Sequence, residues 1–216
     1  MRSNGSTVED YFSDKLTSQL PLGFEVFRQA SDQFQKTRIS LAPLEATLLQ
    51  TLVKAHGGTK WVEIGTLTGF SGYCISQASK GHLWTFEKDP AHAARARELF
   101  RDQNLHDRIT VVEGDASQTL ASIVGEGPFD GLFIDGNKGA YGEYLQWALK
   151  NLRPGGMIIA DNVYLGGAIW GEAQGSHWSA SVVQRMREFL TVLFDPNLFT
   201  ASVAPTSEGL AIAIKK

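Results

Sequence analysis

Cysteine is almost absent from this chain, since Cys74 is the single one among 216 residues, and an internal disulfide is therefore excluded. Long apolar runs are absent as well. None approaches the ~18 residues of a membrane span, and residues 1–14 are too polar to contain a signal-peptide core. No long basic run occurs, and the net charge of −3 argues against a nucleic-acid-binding surface. We therefore expect a cytoplasmic protein with no membrane or nucleic-acid partner.

The chain is large enough to bury one substantial core. Its 216 residues are 43% hydrophobic, which fits a single domain over residues 1–216 better than two domains. Helical apolar spacing at 8–30 and 41–55 predicts N-terminal helices over 1–57, ahead of a core over 58–216. In that core, helical patterns alternate with strand-like apolar runs at 61–64, 83–86, 109–112, 131–134 and 157–160.

This alternation predicts an α/β fold, with a doubly wound, Rossmann-like and mostly parallel sheet. At the end of the chain, apolar runs at 198–203 and 210–214 predict an antiparallel hairpin at the sheet edge. Residues 153–156, Arg-Pro-Gly-Gly, should end the preceding helix before the next strand begins. In that helix Tyr141 and Tyr144 lie on the apolar stripe, which favours core packing over contact with a substrate.

Oxygen-bearing side chains follow two of the predicted strands. Asp135 comes directly after the run 131–134, and Asp161 and Asn162 follow the run 157–160. If the two strands end side by side, these oxygens meet at one rim of the sheet, where they suit a hard divalent cation. The alternative is structural, because such residues also cap turns at strand ends.

A glycine turn follows the first predicted strand. Gly65 and Gly69 let the backbone pass close to a nucleotide-like ligand, but their spacing departs from the dinucleotide fingerprint. Glu87 ends the second strand, where a doubly wound fold places an acid that accepts hydrogen bonds from ribose hydroxyls. The pattern therefore predicts a ribose-containing ligand, with a helix N-terminal acid as the alternative role for Glu87.

These motifs together resemble a known family. The segment 63–71 (Glu-Ile-Gly-Thr-Leu-Thr-Gly-Phe-Ser), Glu87, the segment 135–138 and the segment 161–163 are similar to those of cation-dependent O-methyltransferases that use S-adenosylmethionine. That group contains the catechol and caffeoyl-CoA O-methyltransferases. The likeness covers roughly residues 35–216, with the motifs in the family's order and spacing.

The resemblance implies a cofactor, a cation and an oligomeric state. It implies S-adenosylmethionine as cofactor, Mg²⁺ (or Ca²⁺ or Mn²⁺) as cation, a small phenolic acceptor as substrate and a homodimer formed through the N-terminal helices, which also cap the cofactor site. The implied cation ligands are Asp135, Asp161 and Asn162. The cofactor-binding residues that we expect are Ile39, Glu63, Gly65, Thr66, Ser71, Glu87, Asp115, Ala116, Asp135 and Tyr144. For Asp115, capping of the following helix is the alternative role.

The chemistry of the implied reaction gives the cation and Lys138 a purpose. A phenol with a pKa near ~10 is ionised in only about one molecule in a thousand at pH 7, a deficit of roughly 4 kcal/mol. A bound cation lowers the pKa of coordinated oxygen. Asp135 and Lys138 are therefore the expected catalytic residues, with Lys138 as the base and its pKa lowered by the metal and by desolvation. Lys138 as a surface charge, or as a group that only orients substrate, is the alternative.

Two other classes of function stay open at this point. A metal-independent methyltransferase or a nicotinamide-dependent oxidoreductase would use the same ribose-binding half, but would leave the oxygen ligands and Lys138 without a role. A non-catalytic binding protein would keep the fold alone, because fold does not determine function. The loop at 166–179, with His177 and Trp178, is expected to form a substrate wall or a dimer contact.

Overall fold

The computed structural model describes residues 8–35, 40–171 and 178–216, and this part of the chain forms seven strands and eight α-helices. All seven strands belong to one sheet. In chain order the strands are β1 (Lys60–Ile64), β2 (His82–Glu87), β3 (Ile109–Glu113), β4 (Phe129–Ile134), β5 (Leu152–Ala160), β6 (Phe199–Ala204) and β7 (Leu210–Lys215).

The strand order is β3-β2-β1-β4-β5-β7-β6. The strands β1 to β5 are parallel to their neighbours, and the β5–β7 and β6–β7 pairs are antiparallel. This confirms the predicted parallel sheet and the C-terminal hairpin, with β6 at the edge. The direction of winding reverses between β1 and β4, and a doubly wound sheet binds its ligand beside the carboxyl ends of the strands at such a reversal.

Helices cover both faces of the sheet, as predicted. The α-helices are α1 (Val8–Thr17), α2 (Phe24–Gln33), α3 (Pro43–His56), α4 (Phe70–Ala78), α5 (Pro90–Asp102), α6 (Ala116–Thr119), α7 (Tyr141–Asn151) and α8 (Ala180–Leu193). Two apolar cores result: α2 to α5 pack on one face, and α6 to α8 pack on the other. Consecutive residues of β1 alternate between them, with Trp61 in the first core and Val62 in the second, as the period of a strand requires.

Two boundaries differ from the sequence prediction. The single helical pattern over 8–30 forms two helices, because Pro21 and then Gly23, with φ 85°, interrupt it. Residues 153–156 lie inside β5 instead of ahead of it, and Arg153 Nε donates to Oδ1 of Asp130 at 2.6 Å, which ties this segment to β4. Within the described residues, no helix is long and apolar enough to cross a membrane.

Candidate active site

Three parallel strands end in one row at the centre of the sheet. Ile64 of β1 pairs with Ile134 of β4, which pairs with Ala160 of β5. The residues that follow are Gly65, Asp135 and Asp161, and they leave the sheet side by side. Backbone hydrogen bonds extend the register one step further: the Asp135 amide donates to the Ile64 carbonyl at 2.8 Å, and the Asp161 amide to the Ile134 carbonyl at 2.9 Å.

Gly65 has no room for a side chain. Its φ is 100°, and a Cβ atom there would lie 2.3 Å from the carbonyl oxygen of Asp135. Gly69, with φ 97°, begins α4, and a Cβ atom at this position would lie 2.5 Å from the Phe100 ring. Both glycines are therefore required for this turn to pass so close to β4 and α5.

Lys138 follows the end of β4 by four residues, and two oxygens hold its ammonium. Its Nζ donates to Oδ1 of Asp135 at 2.8 Å and to the Tyr141 hydroxyl at 2.8 Å. Tyr141 is fully buried, and its hydroxyl donates to the Asp161 carbonyl at 2.9 Å, with the Ile134 carbonyl at 3.2 Å. The helical spacing of Tyr141 predicted its burial, and the structure adds a polar role for the hydroxyl. The three-residue separation from Lys138 was a signal for that contact.

An ion pair opposes the lowering of the Lys138 pKa that we expect beside a bound metal. Burial of the ammonium lowers the pKa, but the charges of Asp135 and Asp161 and the hydrogen bond to Asp135 outweigh it and hold the pKa of Lys138 above its usual value. The physical reason is the ion pair, since an opposite charge at 2.8 Å favours the charged form. Lys138 is therefore an ammonium here.

Asp161 is a buried carboxyl among other acids. Burial, and then the charges of Asp135 and Glu45, raise the pKa of Asp161 well above its usual value. Its Oδ1 accepts a hydrogen bond from the Asn162 amide at 2.8 Å, and Asn162 has a left-handed backbone with φ 58°. The turn that we considered as an alternative is present, and it leaves the Asp161 carboxyl in a region of excess negative charge. Such a region suits a cation.

Glu63 is buried in β1 behind the glycine turn. Thr66 donates to Thr85 at 2.6 Å, and Thr85 donates to Oε2 of Glu63 at 2.6 Å. Burial raises the pKa of Glu63 to about 7, against the lowering effect of the Ser71 and Thr85 hydroxyls. Its Oε1 is buried and accepts no hydrogen bond within the described part of the chain. An orphaned carboxylate oxygen in this position fits the cationic group of a ligand.

Glu87 lies beside the same turn, at the end of β2. Its Oε2 accepts from the Leu67 amide at 2.7 Å, and its Oε1 accepts from the Asp89 amide at 2.9 Å. Asp89 is the residue that caps α5, through bonds from the Ala91 and His92 amides. The simple capping role considered for Glu87 is thus performed by Asp89. Leu67 has a φ of 50°, and its amide orients the Glu87 carboxylate.

Asp115 and Tyr144 lie at the far side of the strand ends. Asp115 caps α6 by accepting from the Ser117 amide at 3.1 Å, and it forms an ion pair with Lys88 at 2.9 Å. The capping alternative is therefore observed, and a cofactor contact of Asp115 stays a prediction. Ala116 is buried at the start of α6. Tyr144 is buried in the core and borders a cavity of about 430 Å³ between the α6 segment and α7.

Three residues singled out from the sequence are not located at the strand ends by the structure. Ile39 and His177 lie outside the described residues, and Trp178 packs against the core on the α8 face. The described residues contain no group of three or more His, Cys, Asp and Glu side chains that could hold a metal. The predicted cation site has two carboxylates and one amide, Asp135, Asp161 and Asn162. Mg²⁺ commonly binds through one or two carboxylates and takes its remaining oxygens from water and substrate, so this donor set fits it.

Comparisons with known proteins show which proteins this chain is similar to. A family model described as O-methyltransferase matches residues 16–216. A catechol O-methyltransferase from Niastella koreensis is 35% identical over 187 residues, which is 82% of this chain and 83% of that protein. One from Mycobacterium tuberculosis is 38% identical over 146 residues, 67% and 66% of the two chains. The crystal structure of an O-methyltransferase from Bacillus cereus in complex with SAH has a TM-score of 0.82, 32% identity and 97% coverage of each chain.

Proposed function

We propose that this chain, which belongs to the O-methyltransferase family and is an S-adenosylmethionine-dependent O-methyltransferase, methylates one hydroxyl of a catechol-like acceptor with the help of a divalent cation. The acceptor class includes caffeoyl-type phenols. The observation that carries the proposal is the contact of the Lys138 ammonium with the Asp135 carboxylate, within the electrostatic influence of the Asp161 carboxyl and beside the glycine turn. The relatives named catechol O-methyltransferase support the same acceptor class.

The glycine turn supports S-adenosylmethionine as the cofactor. Gly65 lets backbone and ligand approach closely, and Glu63 and Glu87 place two carboxylates on either side of the turn. The orphaned Oε1 of Glu63 would accept a hydrogen bond from the cofactor's ammonium, and the oriented carboxylate of Glu87 would accept from its ribose hydroxyls. The SAH in the related Bacillus cereus structure supports this ligand class. When bound, S-adenosylmethionine supplies the methyl group.

The environment of Asp161 supports a divalent cation. Asp135 and Asp161 follow paired residues of neighbouring strands, and Glu45 adds a third negative charge to the surroundings of Asp161. The Lys138 ammonium forms an ion pair with Asp135. Asp135, Asp161 and Asn162 would hold the cation, with Mg²⁺ as first choice and Ca²⁺ or Mn²⁺ as alternatives. When bound, the cation would lower the pKa of the acceptor's hydroxyls.

Lys138 would take the acceptor's proton, and Asp135 would hold Lys138 in position. A cation bound at Asp135 would compete with the lysine for the carboxylate and remove part of the charge that raises the lysine's pKa. The neutral amine then becomes accessible at working pH, as a general base requires. The ion pair with Asp135 alone favours the protonated form of Lys138.

A methyl-transfer assay with matched acceptors tests the proposal. Because a cation that holds two vicinal oxygens presents only one of them for transfer, catechols should be methylated once and matching monophenols barely at all. Activity on catechol should disappear with EDTA and return with Mg²⁺. Calorimetry should detect binding of S-adenosylmethionine and no binding of NAD. Equal turnover of catechol and monophenol, or full activity in EDTA, would contradict the cation's role.

A homodimer through the N-terminal helices is part of the proposal. Exposed apolar side chains on α1, α2 and the turn between them support it: Tyr11, Phe12, Leu22 and Val26. Leu22 is 94% exposed in the single chain, which favours a second copy as its covering partner. Leu22→Asp should shift the mass measured by light scattering from dimer to monomer. Val124→Asp, at an exposed apolar side chain away from these helices, is the control and should stay dimeric.

A further inference from the structure

We propose that Tyr141 is a positioning residue for the methyl-transfer reaction, whose hydroxyl holds the Lys138 ammonium at the junction of β4 and β5. This inference rests on the proposed function, because it acts through Lys138. The hydroxyl accepts from Lys138 Nζ at 2.8 Å and donates to the Asp161 carbonyl at 2.9 Å. A phenolic hydroxyl has one proton to donate, so the donation to the backbone leaves a lone pair aimed at the lysine.

The Tyr141 ring is fixed from several sides. It is fully buried, and Phe189 of α8 packs edge-on against it, with ring centroids 5.3 Å apart and planes at 78°. The hydroxyl also lies 3.2 Å from the Ile134 carbonyl, so it reaches the ends of both β4 and β5. The Tyr141 side chain is therefore fixed in place, and the Lys138 amine has to lie within reach of its hydroxyl.

This arrangement gives Lys138 two fixed acceptors, of which one is independent of the cation. A cation at Asp135 would compete for the carboxylate, whereas the Tyr141 hydroxyl is neutral and its lone pair stays directed at the amine. The Lys138 amine lies at the end of a flexible four-carbon side chain, which loses conformational entropy when the amine is held in one place. The hydroxyl would therefore keep the amine beside the acceptor even if a cation drew on Asp135, which would be an orientation effect on kcat.

The test compares two tyrosines that each lose only a hydroxyl. Tyr141→Phe should lower kcat by roughly 10-fold to 100-fold, the range for loss of one hydrogen bond to a charged group. The KM values for S-adenosylmethionine and catechol and the half-saturating Mg²⁺ concentration should stay within about twofold. Tyr73→Phe is the matched control, because the Tyr73 hydroxyl is also held by a backbone carbonyl, that of Leu22. It should lower the Tm and leave kcat unchanged. An equal, small effect of both variants on kcat would overturn the positioning role.

The Lys138→Ala background separates this inference from the proposed function. If Tyr141 acts through Lys138, Tyr141→Phe should change kcat no further once the lysine is gone. A multiplicative loss in the double variant would overturn the inference. A Lys138→Ala variant with wild-type kcat would instead remove the base role itself, and the positioning role with it. Loss in Lys138→Ala with no loss in Tyr141→Phe would overturn only the positioning role.

A spectroscopic measurement on the unmodified protein covers the case in which Tyr141→Phe does not fold. With ¹⁵N-labelled lysine, the Lys138 ammonium should give a proton-exchange-protected signal that persists when Mg²⁺ is added, because the Tyr141 hydroxyl still holds the group. The signal is assigned by its absence in Lys138→Ala. Its disappearance into solvent exchange on cation binding at a pH where the amine stays protonated would overturn the inference.

Discussion

The Lys138 ammonium lies 2.8 Å from Oδ1 of Asp135, on the carboxylate that we propose as a cation ligand. Lysine and cation therefore compete for one group. The ion pair favours the protonated lysine, and a cation held by Asp135 would weaken that preference. Proton removal by Lys138 would then be coupled to cation binding.

Removal of the lysine should act mainly on turnover. Lys138→Ala should lower kcat by roughly 10² to 10⁴, the usual contribution of a general base, with S-adenosylmethionine binding nearly unchanged and Mg²⁺ binding no weaker, because the lysine no longer competes for Asp135. Raising the pH should recover part of the loss, since solvent can then take the proton. We would measure kcat against pH at saturating Mg²⁺, with Lys80→Ala at an exposed lysine as control. Near wild-type kcat at neutral pH would make Lys138 a bystander.

Removal of Asp161 should act through the cation. Asp161→Ala should cripple activity at moderate Mg²⁺ with partial rescue at high Mg²⁺, because the lost interaction is mainly metal affinity. Raising the pH should not restore it, in contrast to Lys138→Ala. The measurement is kcat against Mg²⁺ concentration. The control is Asp107→Ala, at a carboxylate that is 89% exposed. An unchanged Mg²⁺ requirement in a folded Asp161→Ala protein would exclude Asp161 as a ligand.

Removal of the Glu87 carboxylate should weaken cofactor binding. Glu87→Ala deletes the carboxylate that the Leu67 and Asp89 amides orient, and S-adenosylmethionine binding should weaken by about 1.5 to 3 kcal/mol, the range for a hydrogen bond to a charged group. Calorimetry measures this directly. Glu98→Ala, at an exposed acid on α5, should bind as the wild type does. The ribose role fails if the affinity of folded Glu87→Ala is unaltered.

Glu63 should make the stability of the cofactor-free protein depend on pH. Its folded pKa of about 7 lies above the ordinary value of 4.5, so the folded chain binds this proton more tightly than the unfolded chain does. The resulting stability is present in full below pH 4.5 and is lost as the pH rises toward 7, by roughly 3 kcal/mol in total.

The variant Glu63→Gln keeps a neutral side chain at every pH. Its free energy of unfolding in urea should match that of the wild type at pH 4.5, the ordinary value for Glu63, and exceed it above pH ~7.5 by up to roughly 3 kcal/mol. S-adenosylmethionine should close the difference, since its cationic group would favour the ionised Glu63. Parallel stability curves for the two proteins between these pH values would show that Glu63 does not titrate in this range.

The amino-acid sequence determined the sheet and the row of residues at its end. Short apolar runs of strand length predicted all seven strands, with boundaries within about five residues, because such runs depend on neighbouring residues in the chain. Once β4 and β5 pair in parallel, the first residues after them, Asp135 and Asp161, must be neighbours. The sequence alone therefore predicts that the polar residues at these strand ends lie together.

Two boundaries of helices and strands could not be predicted from the apolar pattern. The apolar spacing over 8–30 continues across Pro21 and Gly23, but the backbone cannot, and two helices form. The preceding helix does end before residues 153–156, at Asn151, but these residues form an irregularity inside β5, where Leu152 pairs with Phe129 and Met157 pairs with Gly131. In the first case a backbone restriction outweighs the side-chain pattern, and in the second the extra residues are accommodated as a bulge.

Only the tertiary structure decided the charge state and neighbours of Lys138. Its pKa depends on the distance to Asp135, on the position of Asp161 and on the exclusion of water, and none of these is a property of a sequence window. The Tyr141 hydroxyl is a similar case, since helical spacing predicts a buried ring but cannot indicate which carbonyl its oxygen reaches. Burial and through-space charge arise when separate segments pack together, and for that reason the sequence could name these residues but not their electrostatics.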